Sequence, residues 1–230
     1  MSRHRAVLFD LDGTLYAAKP LRRAMLLELA RTPLRGPRQA VRTVRRLQAF
    51  RSVREELRDL GDTSSSLDDE QYAAPAARLR DDPAAVREVV AEWIHRRPLR
   101  HLPAAAWPTL RPTLEALRER GLALGVFSDY PPDEKLAALG VDDLFDVTLA
   151  ATDPEINAFK PHPCGFLAGA SRLGLDPSEV VYVGDRVEVD ALGALAAGLG
   201  CVILGQSGGP APDGCRFAPT FADLPSTIAG

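Results

Sequence analysis

The sequence predicts an α/β fold in which a doubly wound parallel sheet carries an inserted all-helical segment. Three observations support this fold class. Short apolar runs of strand length recur along the chain, helical patterns separate most of them, and one long stretch near the N-terminus contains helical patterns alone. Continuous apolar strands that alternate with helices are typical of a parallel sheet covered by helices on both faces.

Five segments are predicted to form the strands of this sheet. They are 5–11 (RAVLFDL), 122–127 (LALGVF), 146–150 (DVTLA), 179–184 (EVVYVG) and 200–204 (GCVIL). Helical patterns lie between most of these segments, and Gly121, Gly174 and Gly198 fall where helix C-terminal caps belong. The Gly- and Pro-rich stretch 205–214 is predicted to be a surface loop.

Residues 17–105 interrupt the alternation of strands and helices. Helical patterns occupy 20–30, 38–60, 68–80 and 81–97, with a polar loop at 61–69. No strand signal stands out in this stretch. We therefore expect residues 1–16 and 106–230 to form the sheet domain, and residues 17–105 to form an all-helical insert between the first and second strands.

Composition narrows the possible partners. The chain has 230 residues, is 46% hydrophobic and carries a formal charge of −3, which argues against a nucleic-acid binder. The charge is uneven, because residues 17–105 hold 18 basic and 12 acidic side chains, or +6, and the remainder carries −9. The arginines of the insert are interpreted first as a solvated face and second as an electropositive surface that grips an anionic substrate.

The sequence also suggests a location. Cys164, Cys201 and Cys215 have no metal-ligand spacing, and an odd cysteine count favours a reducing compartment. No apolar run approaches the roughly 20 residues of a membrane span, and Asp10 comes too early for a signal-peptide apolar region. We expect a cytoplasmic protein without a membrane partner, either monomer or homodimer.

Polar side chains follow the predicted strands where a parallel sheet gathers its ligands, at the carboxyl ends. The residues concerned are Asp10, Asp12 and Thr14 after the first strand, Ser128 and Asp129 after the second, Lys160 beyond the third, and Asp185 and Asp190 after the fourth. Taken singly, Asp10 and Asp12 could be a solvated strand end, Ser128 a turn serine, Lys160 a surface lysine and Asp185 part of an ordinary turn. Together they predict a site with several carboxylates, a hydroxyl and a lysine.

This combination is suited to phosphoryl transfer. Carboxylates without neighbouring histidine or cysteine favour Mg²⁺, and a lysine and a serine hydroxyl can hold phosphoryl oxygens. One aspartate can attack phosphorus and a second can transfer the proton. His95, His101 and His162 have no ligand spacing, and Trp93 and Trp107 are interpreted as packing residues.

Four motifs occur in the order found in the haloacid dehalogenase superfamily, which the sequence resembles. They are DLDGT (10–14), a strand ending at Ser128, KP (160–161) and GDRVEVD (184–190). The resemblance implies a Rossmann-like core and a helical cap of the type inserted between the first two motifs. The interval between Ser128 and Lys160 is too short for the alternative cap position.

The resemblance also implies a role for each motif residue. Asp10 would be the nucleophile and a Mg²⁺ ligand, Asp12 the general acid/base with its carbonyl on the metal, Ser128, Asp129 and Lys160 the phosphate-binding residues, Asp185 a metal ligand, and Thr14 and Asp190 supporting residues. Asp129 departs from the asparagine often found there. Its side chain could point away, pair with a cap arginine or bind a substrate group.

Asp12 separates branches of the superfamily, because dehalogenases and phosphonate-cleaving members typically lack an acid at this position. The resemblance therefore implies a Mg²⁺-dependent phosphatase acting on a small phosphorylated metabolite through an aspartyl-phosphate on Asp10. A phosphomutase of the same superfamily and a non-catalytic protein that binds a phosphate ligand remain open alternatives. The identity of the phosphate ester is not predicted.

Overall fold

The structure, a computed structural model, describes residues 4–31, 36–61, 65–205 and 212–229. The strands are β1 (Ala6–Phe9), β2 (Ala123–Ser128), β3 (Val147–Ala150), β4 (Val180–Gly184), β5 (Gly200–Leu204) and β6 (Cys215–Ala218). They form one parallel sheet in the order β3-β2-β1-β4-β5-β6. The predicted fold class is therefore confirmed.

The five predicted strands all occur, but β6 was not predicted. Its sequence, CRFA, is four residues long and follows a Gly- and Pro-rich stretch, so it lacks a distinct strand pattern. It pairs with β5 and extends the sheet by one strand. Within the predicted loop 205–214, residues 206–211 lie outside the described residues. The same applies to 62–64 in the loop predicted at 61–69.

Helices cover the sheet and fill the interval between β1 and β2. Their bounds are α1 (Ala18–Arg31), α2 (Pro37–Leu60), α3 (Leu67–Leu79), α4 (Pro83–Val90), α5 (Arg97–Leu99), α6 (Leu102–Ala105), α7 (Leu110–Glu119), α8 (Asp133–Leu139), α9 (Cys164–Arg172), α10 (Leu192–Ala196) and α11 (Leu224–Ala229). A π-helical segment, Ala91–Arg96, continues α4. In the described part of the chain, no helix combines the length and apolarity needed to cross a bilayer.

Both faces of the sheet are apolar, as a parallel sheet requires. Because side chains alternate along a strand, Val7 and Phe9 of β1 pack on one face and Leu8 on the other. Leu114 of α7 belongs to the first of these two clusters and Phe166 of α9 to the second. This two-sided core fixes the strand ends, which carry the polar residues.

The helical segment leaves and rejoins the sheet at one point. Tyr16 and Ala106 form an isolated antiparallel bridge, and the Ala17 N–H donates to the carbonyl of Ala105 at 2.9 Å. The helical segment also has a buried apolar cluster of its own, formed by Phe50, Tyr72, Ala76, Val86 and Val90. Because the chain enters and leaves the helical segment at neighbouring positions, the segment lies over the end of β1.

Candidate active site

The carboxyl ends of three strands meet at one edge of the sheet. β1 lies between β2 and β4, and the strands that follow β1 in sequence lie first on one side of it and then on the other. Asp10 follows β1, Ser128 ends β2 and Asp185 follows β4. Such a switch point forms the crevice in which open parallel sheets bind ligands.

Both carboxylate oxygens of Asp10 are held in place at this edge. Asp10 is 5% exposed, its Oδ1 accepts a hydrogen bond from Lys160 Nζ at 2.6 Å, and its Oδ2 accepts one from Thr14 Oγ1 at 3.1 Å. Burial, opposed by the charge of Lys160 and reinforced by that of Asp190, raises the pKa of Asp10 to about 8. The carboxylate is therefore fixed in orientation, as a nucleophile must be.

Lys160 is the centre of a buried hydrogen-bond network. Besides Asp10, its Nζ donates to Asp190 Oδ1 at 2.7 Å and to the Tyr182 hydroxyl at 3.0 Å. The Tyr182 hydroxyl in turn donates to the carbonyl of Phe127. Burial disfavours the ammonium, but the carboxylates of Asp10 and Asp190 raise the pKa of Lys160 well above its usual range. The lysine therefore stays charged in the interior.

Three carboxylates converge beside this lysine. Asp10, Asp185 and Asp190 each offer an oxygen, and the three oxygens lie within 4.8 Å of one another. Asp190 Oδ2 accepts from the backbone N–H of Asp185 at 3.1 Å and of Arg186 at 3.0 Å. Burial, followed by the charge of Asp190, raises the pKa of Asp185 to about 6.

Gly13 allows Asp185 to approach the turn after β1. Its φ is +104°, a backbone conformation that side-chain-bearing residues rarely adopt. A Cβ at this position would also collide with the Asp185 carboxylate. The glycine of the DLDGT motif is thus required by both backbone conformation and space.

The donor set of the cluster fits a hard divalent cation such as Mg²⁺. It consists of carboxylate oxygens only, and the raised pKa values of Asp10 and Asp185 indicate a deficit of positive charge that Lys160 does not fill. Both oxygens of Asp190 already accept hydrogen bonds. Asp190 Oδ2 accepts from two backbone N–H groups, so Asp190 is suited to positioning Lys160 and the loop after β4. Asp10 and Asp185 remain the predicted ligands.

Asp12 occupies a different environment from Asp10. Its carboxylate accepts hydrogen bonds from Lys135 Nζ at 2.5 and 2.7 Å and from the Tyr16 hydroxyl, and its side chain is 31% exposed. Burial alone would raise the pKa of Asp12, but Lys135 and Tyr16 together lower it. The pKa values of the two aspartates in one motif are thus shifted in opposite directions.

The residues after β2 connect the sheet edge to the helical segment. Ser128 Oγ accepts from the Tyr130 N–H at 3.2 Å, which leaves the serine proton available to a ligand. Asp129 Oδ2 lies 2.9 Å from a guanidinium nitrogen of Arg58, and its Oδ1 accepts from the backbone N–H of Lys160 at 3.3 Å. Of the three options for the Asp129 side chain, the structure shows the pairing with an arginine of α2. A phosphate-binding role for Asp129 then rests on its backbone N–H.

These groups surround a cavity of about 310 Å³. Its lining includes Asp10, Asp12, Ser128, Asp129, Lys160, Asp185 and Asp190 from the sheet side, and Arg22, Arg51, Arg54, Glu55 and Arg58 from the helical segment. The structure thus brings seven of the eight predicted site residues to one cavity, and Thr14 lies directly behind Asp10. Arg54 is buried, with its guanidinium carbon 4.0 Å from the ring centroids of Tyr130 and Phe159.

Sequence reasoning missed Lys135, Tyr182 and Tyr16. The helix that carries Lys135, α8, has readable signals, since acidic residues occupy its first turn and Gly140 ends it in the left-handed conformation. The contact between Lys135 and Asp12 spans 123 positions and has no local signature. Tyr182 was visible only as one hydroxyl in an otherwise apolar strand.

Comparison with known proteins identifies the family. The sequence profile of the haloacid dehalogenase-like hydrolases matches residues 4–198, and the chain belongs to this family. It is 31% identical to a glyceraldehyde 3-phosphate phosphatase of Methanopyrus kandleri over 85% of this chain and 81% of the relative. It is 32% identical to a ribulose-1,5-bisphosphate 5-phosphatase of Halopiger xanaduensis over 88% and 85%. The predicted family and the prediction of a hydrolase are confirmed.

Solved structures agree on the fold. A phosphatase of this family from Thermococcus onnurineus superposes with a TM-score of 0.60 at 26% identity, covering 98% of each chain. A 2-haloacid dehalogenase from Pseudomonas syringae pv. Tomato DC3000 superposes with a TM-score of 0.69 at 24% identity, again over 98% of each chain. Since members with different chemistry share the fold, the reaction must be argued from the site.

Proposed function

We propose that the chain is a Mg²⁺-dependent phosphatase that hydrolyses a small phosphate monoester through an aspartyl-phosphate on Asp10. The observation that carries the proposal is that two aspartates in one cavity have different partners and different exposure. Asp10 is buried and held by Lys160 and Thr14, whereas Asp12 lies at the cavity wall beside Lys135. One carboxylate is placed to attack, and the other to exchange protons with the leaving group.

The first half-reaction transfers the phosphoryl group to the protein. A carboxylate oxygen of Asp10 forms a bond to phosphorus as the ester P–O bond breaks. Lys160 and Ser128 donate to the phosphoryl oxygens, and Asp12 gives a proton to the departing oxygen. Asp12 takes up that proton when a dianionic ester enters, because added negative charge raises the pKa of a nearby carboxyl.

The second half-reaction reverses the roles of the two aspartates. Asp12, now ionised, removes a proton from water as the water oxygen attacks phosphorus and the bond to Asp10 breaks. Phosphate leaves, and both carboxyls return to their starting forms. The Mg²⁺ held by Asp10 and Asp185, with the Asp12 carbonyl as a further predicted ligand, would neutralise phosphoryl charge when bound.

The relatives support phosphate-ester hydrolysis over the alternatives. The glyceraldehyde 3-phosphate and ribulose-1,5-bisphosphate relatives carry the word phosphatase in their names, and so do phosphoglycolate phosphatases such as that of Haemophilus influenzae, 35% identical over 45% of each chain.

We further propose that residues 17–105 act as a cap whose closure excludes water from the cavity and sets specificity.

Replacement of the nucleophile tests the proposal. We expect Asp10→Asn to lower phosphate release from a panel of phosphate monoesters at least about a thousandfold, because the amide is a poor nucleophile. Activity of the unaltered protein should require Mg²⁺ and disappear with a chelator. Asp59→Asn, at an exposed position of α2, is the matched control and should retain full activity.

Two results would contradict the proposal. Folded Asp10→Asn with ordinary activity would exclude the covalent mechanism. A panel that yields no phosphate with any divalent metal would favour a non-catalytic binding protein, and transfer between positions of one sugar without phosphate release would favour a mutase.

A further inference from the structure

A second, larger cavity adjoins the one that contains Asp10 and Lys160. Its volume is about 690 Å³, which lies within the range of small-molecule binding sites. Most of its lining is apolar and comes from the helical segment, chiefly from Leu21, Met25, Leu26, Leu29, Trp93 and Ile94. Trp93, interpreted from the sequence as a packing residue, is thus part of a cavity wall.

Four residues line both cavities and mark the junction between them. They are Asp12, Arg22, Arg51 and Tyr130. Lys135, which donates to both oxygens of Asp12, faces the larger cavity. The carboxyl that exchanges protons with the leaving group therefore sits where the small polar cavity opens into the large apolar one.

This position fixes the direction of a bound substrate, given the proposed function. The phosphoryl group must reach Asp10 at the floor of the small cavity, and the ester oxygen must lie within hydrogen-bond reach of Asp12. The rest of the alcohol then has to extend from the junction. The larger cavity opens at that point.

The wall formed by α1 is unusual for a surface helix. None of the residues of α1 is buried, and Leu26 is 64% exposed although it lines the cavity. Leu21, Met25 and Leu29 of the same helix also face this space. Leu21 packs in part against the sheet cluster, but packing among the described residues leaves Leu26 mostly exposed, and an apolar ligand in the cavity would cover it.

We infer that the substrate is a phosphate monoester of an apolar alcohol, with a medium-chain alkyl or aryl group that occupies the cavity lined by α1, Trp93 and Ile94. Arg22 and Arg51 at the junction face the ester end of such a molecule, where the phosphate charge lies. Small polar esters such as phosphoglycolate would fill the first cavity and leave the second without a ligand.

A homologous series of primary alkyl phosphates tests this inference. Ethyl, butyl and hexyl phosphate have leaving groups of nearly equal acidity, so differences in kcat/KM report burial of the chain rather than leaving-group chemistry. We expect kcat/KM to rise about three- to fourfold for each added methylene, and so about 80- to 250-fold over the four methylenes from ethyl to hexyl phosphate. A flat or falling series would overturn the inference.

Two neighbouring leucines of α1 provide a matched pair of variants. Leu26 lines the cavity, while Leu27 is 60% exposed and does not. Leu26→Ser should lower the ratio of hexyl to ethyl phosphate kcat/KM about five- to tenfold, and Leu27→Ser should leave this ratio unchanged. Equal ratios in both variants would count against the inference.

The same assay separates this inference from the proposed function. Phosphate release from ethyl phosphate and phosphoglycolate at least as fast as from hexyl phosphate would leave the phosphatase intact and refute the apolar pocket. No release from any ester would refute the phosphatase itself.

Discussion

The sheet edge and the helical segment hold their charged residues in different environments. At the sheet edge Asp10, Asp190 and Lys160 are almost fully buried and compensate one another at distances below 3 Å. In the helical segment, exposed Arg22 and Arg51 border an apolar cavity. The first region is a closed network of charges, and the second is an open surface with an apolar cavity.

The closed character of the sheet edge predicts that Lys160, whose partners are buried, contributes much more to stability than Lys135, a lysine of α8 whose partner Asp12 is 31% exposed. Lys160→Met leaves two buried carboxylates without their cation and should lower the free energy of unfolding by about 3 kcal/mol or more. Lys135→Met leaves Asp12, which water reaches, and should lower it by about 1 kcal/mol. Urea unfolding without divalent cations measures both. Equal losses would show that Lys160 does not hold together a closed network of buried charges.

The ion pair that joins the two regions should contribute a free energy smaller than that of the Lys160 network. Arg58 and Asp129 are 11% and 15% exposed, and Arg58 also donates to the Lys160 carbonyl at 2.6 Å. A double-mutant cycle with Arg58→Gln and Asp129→Asn should give a coupling free energy of about 1 to 2 kcal/mol.

An exposed pair on the same helix serves as the control for that cycle. Glu56 of α2 pairs with Arg78 of α3 at the surface. Its coupling should be smaller, because water screens exposed charges. A coupling for Arg58 and Asp129 no larger than the control would mean that the helical segment is not held to the sheet by this ion pair.

The inner face of the helical segment makes the last prediction, which concerns pH. Burial and the nearby cations Lys135 and Arg54 lower the pKa of His95 to about 4. Between about pH 6.5 and pH 4 the unfolded state binds a proton at His95 and the folded state does not, so His95 lowers stability as the pH falls. Relative to the unaltered protein, His95→Gln should gain about 1 to 2 kcal/mol on moving from about pH 7.5 to about pH 4.5. An unchanged difference would show that His95 is well hydrated.

The two regions also differ in how much of them could be predicted from the sequence. The proposed catalytic residues follow strands and stand in short motifs, so Asp10, Ser128, Lys160 and Asp185 could be assigned to one site from the sequence alone. Trp93 and Leu26 have no motif, because a cavity wall needs only apolar character, which a packing residue has as well. Whether Trp93 and Leu26 line the same cavity depends on how helices far apart in the sequence pack against one another.

Contacts between residues that are far apart in the sequence could likewise not be predicted. The network around Lys160 includes Tyr182, and the position of Asp12 depends on Lys135, which comes from a helix that had not been predicted. β6 was missed because four residues with one charge give too little pattern. Local signals thus determined the elements and the motif residues, while contacts between elements determined the groups that surround and orient those residues.

The central claim is that Asp10 becomes covalently phosphorylated during turnover. Rapid acid quench of the protein mixed with hexyl phosphate and Mg²⁺, followed by borohydride reduction and peptide mass spectrometry, tests it directly. We predict reduction of the acyl phosphate to homoserine at position 10, with no such product from Asp10→Asn. Turnover accompanied by no modified residue, or by a modified residue elsewhere, would contradict the account.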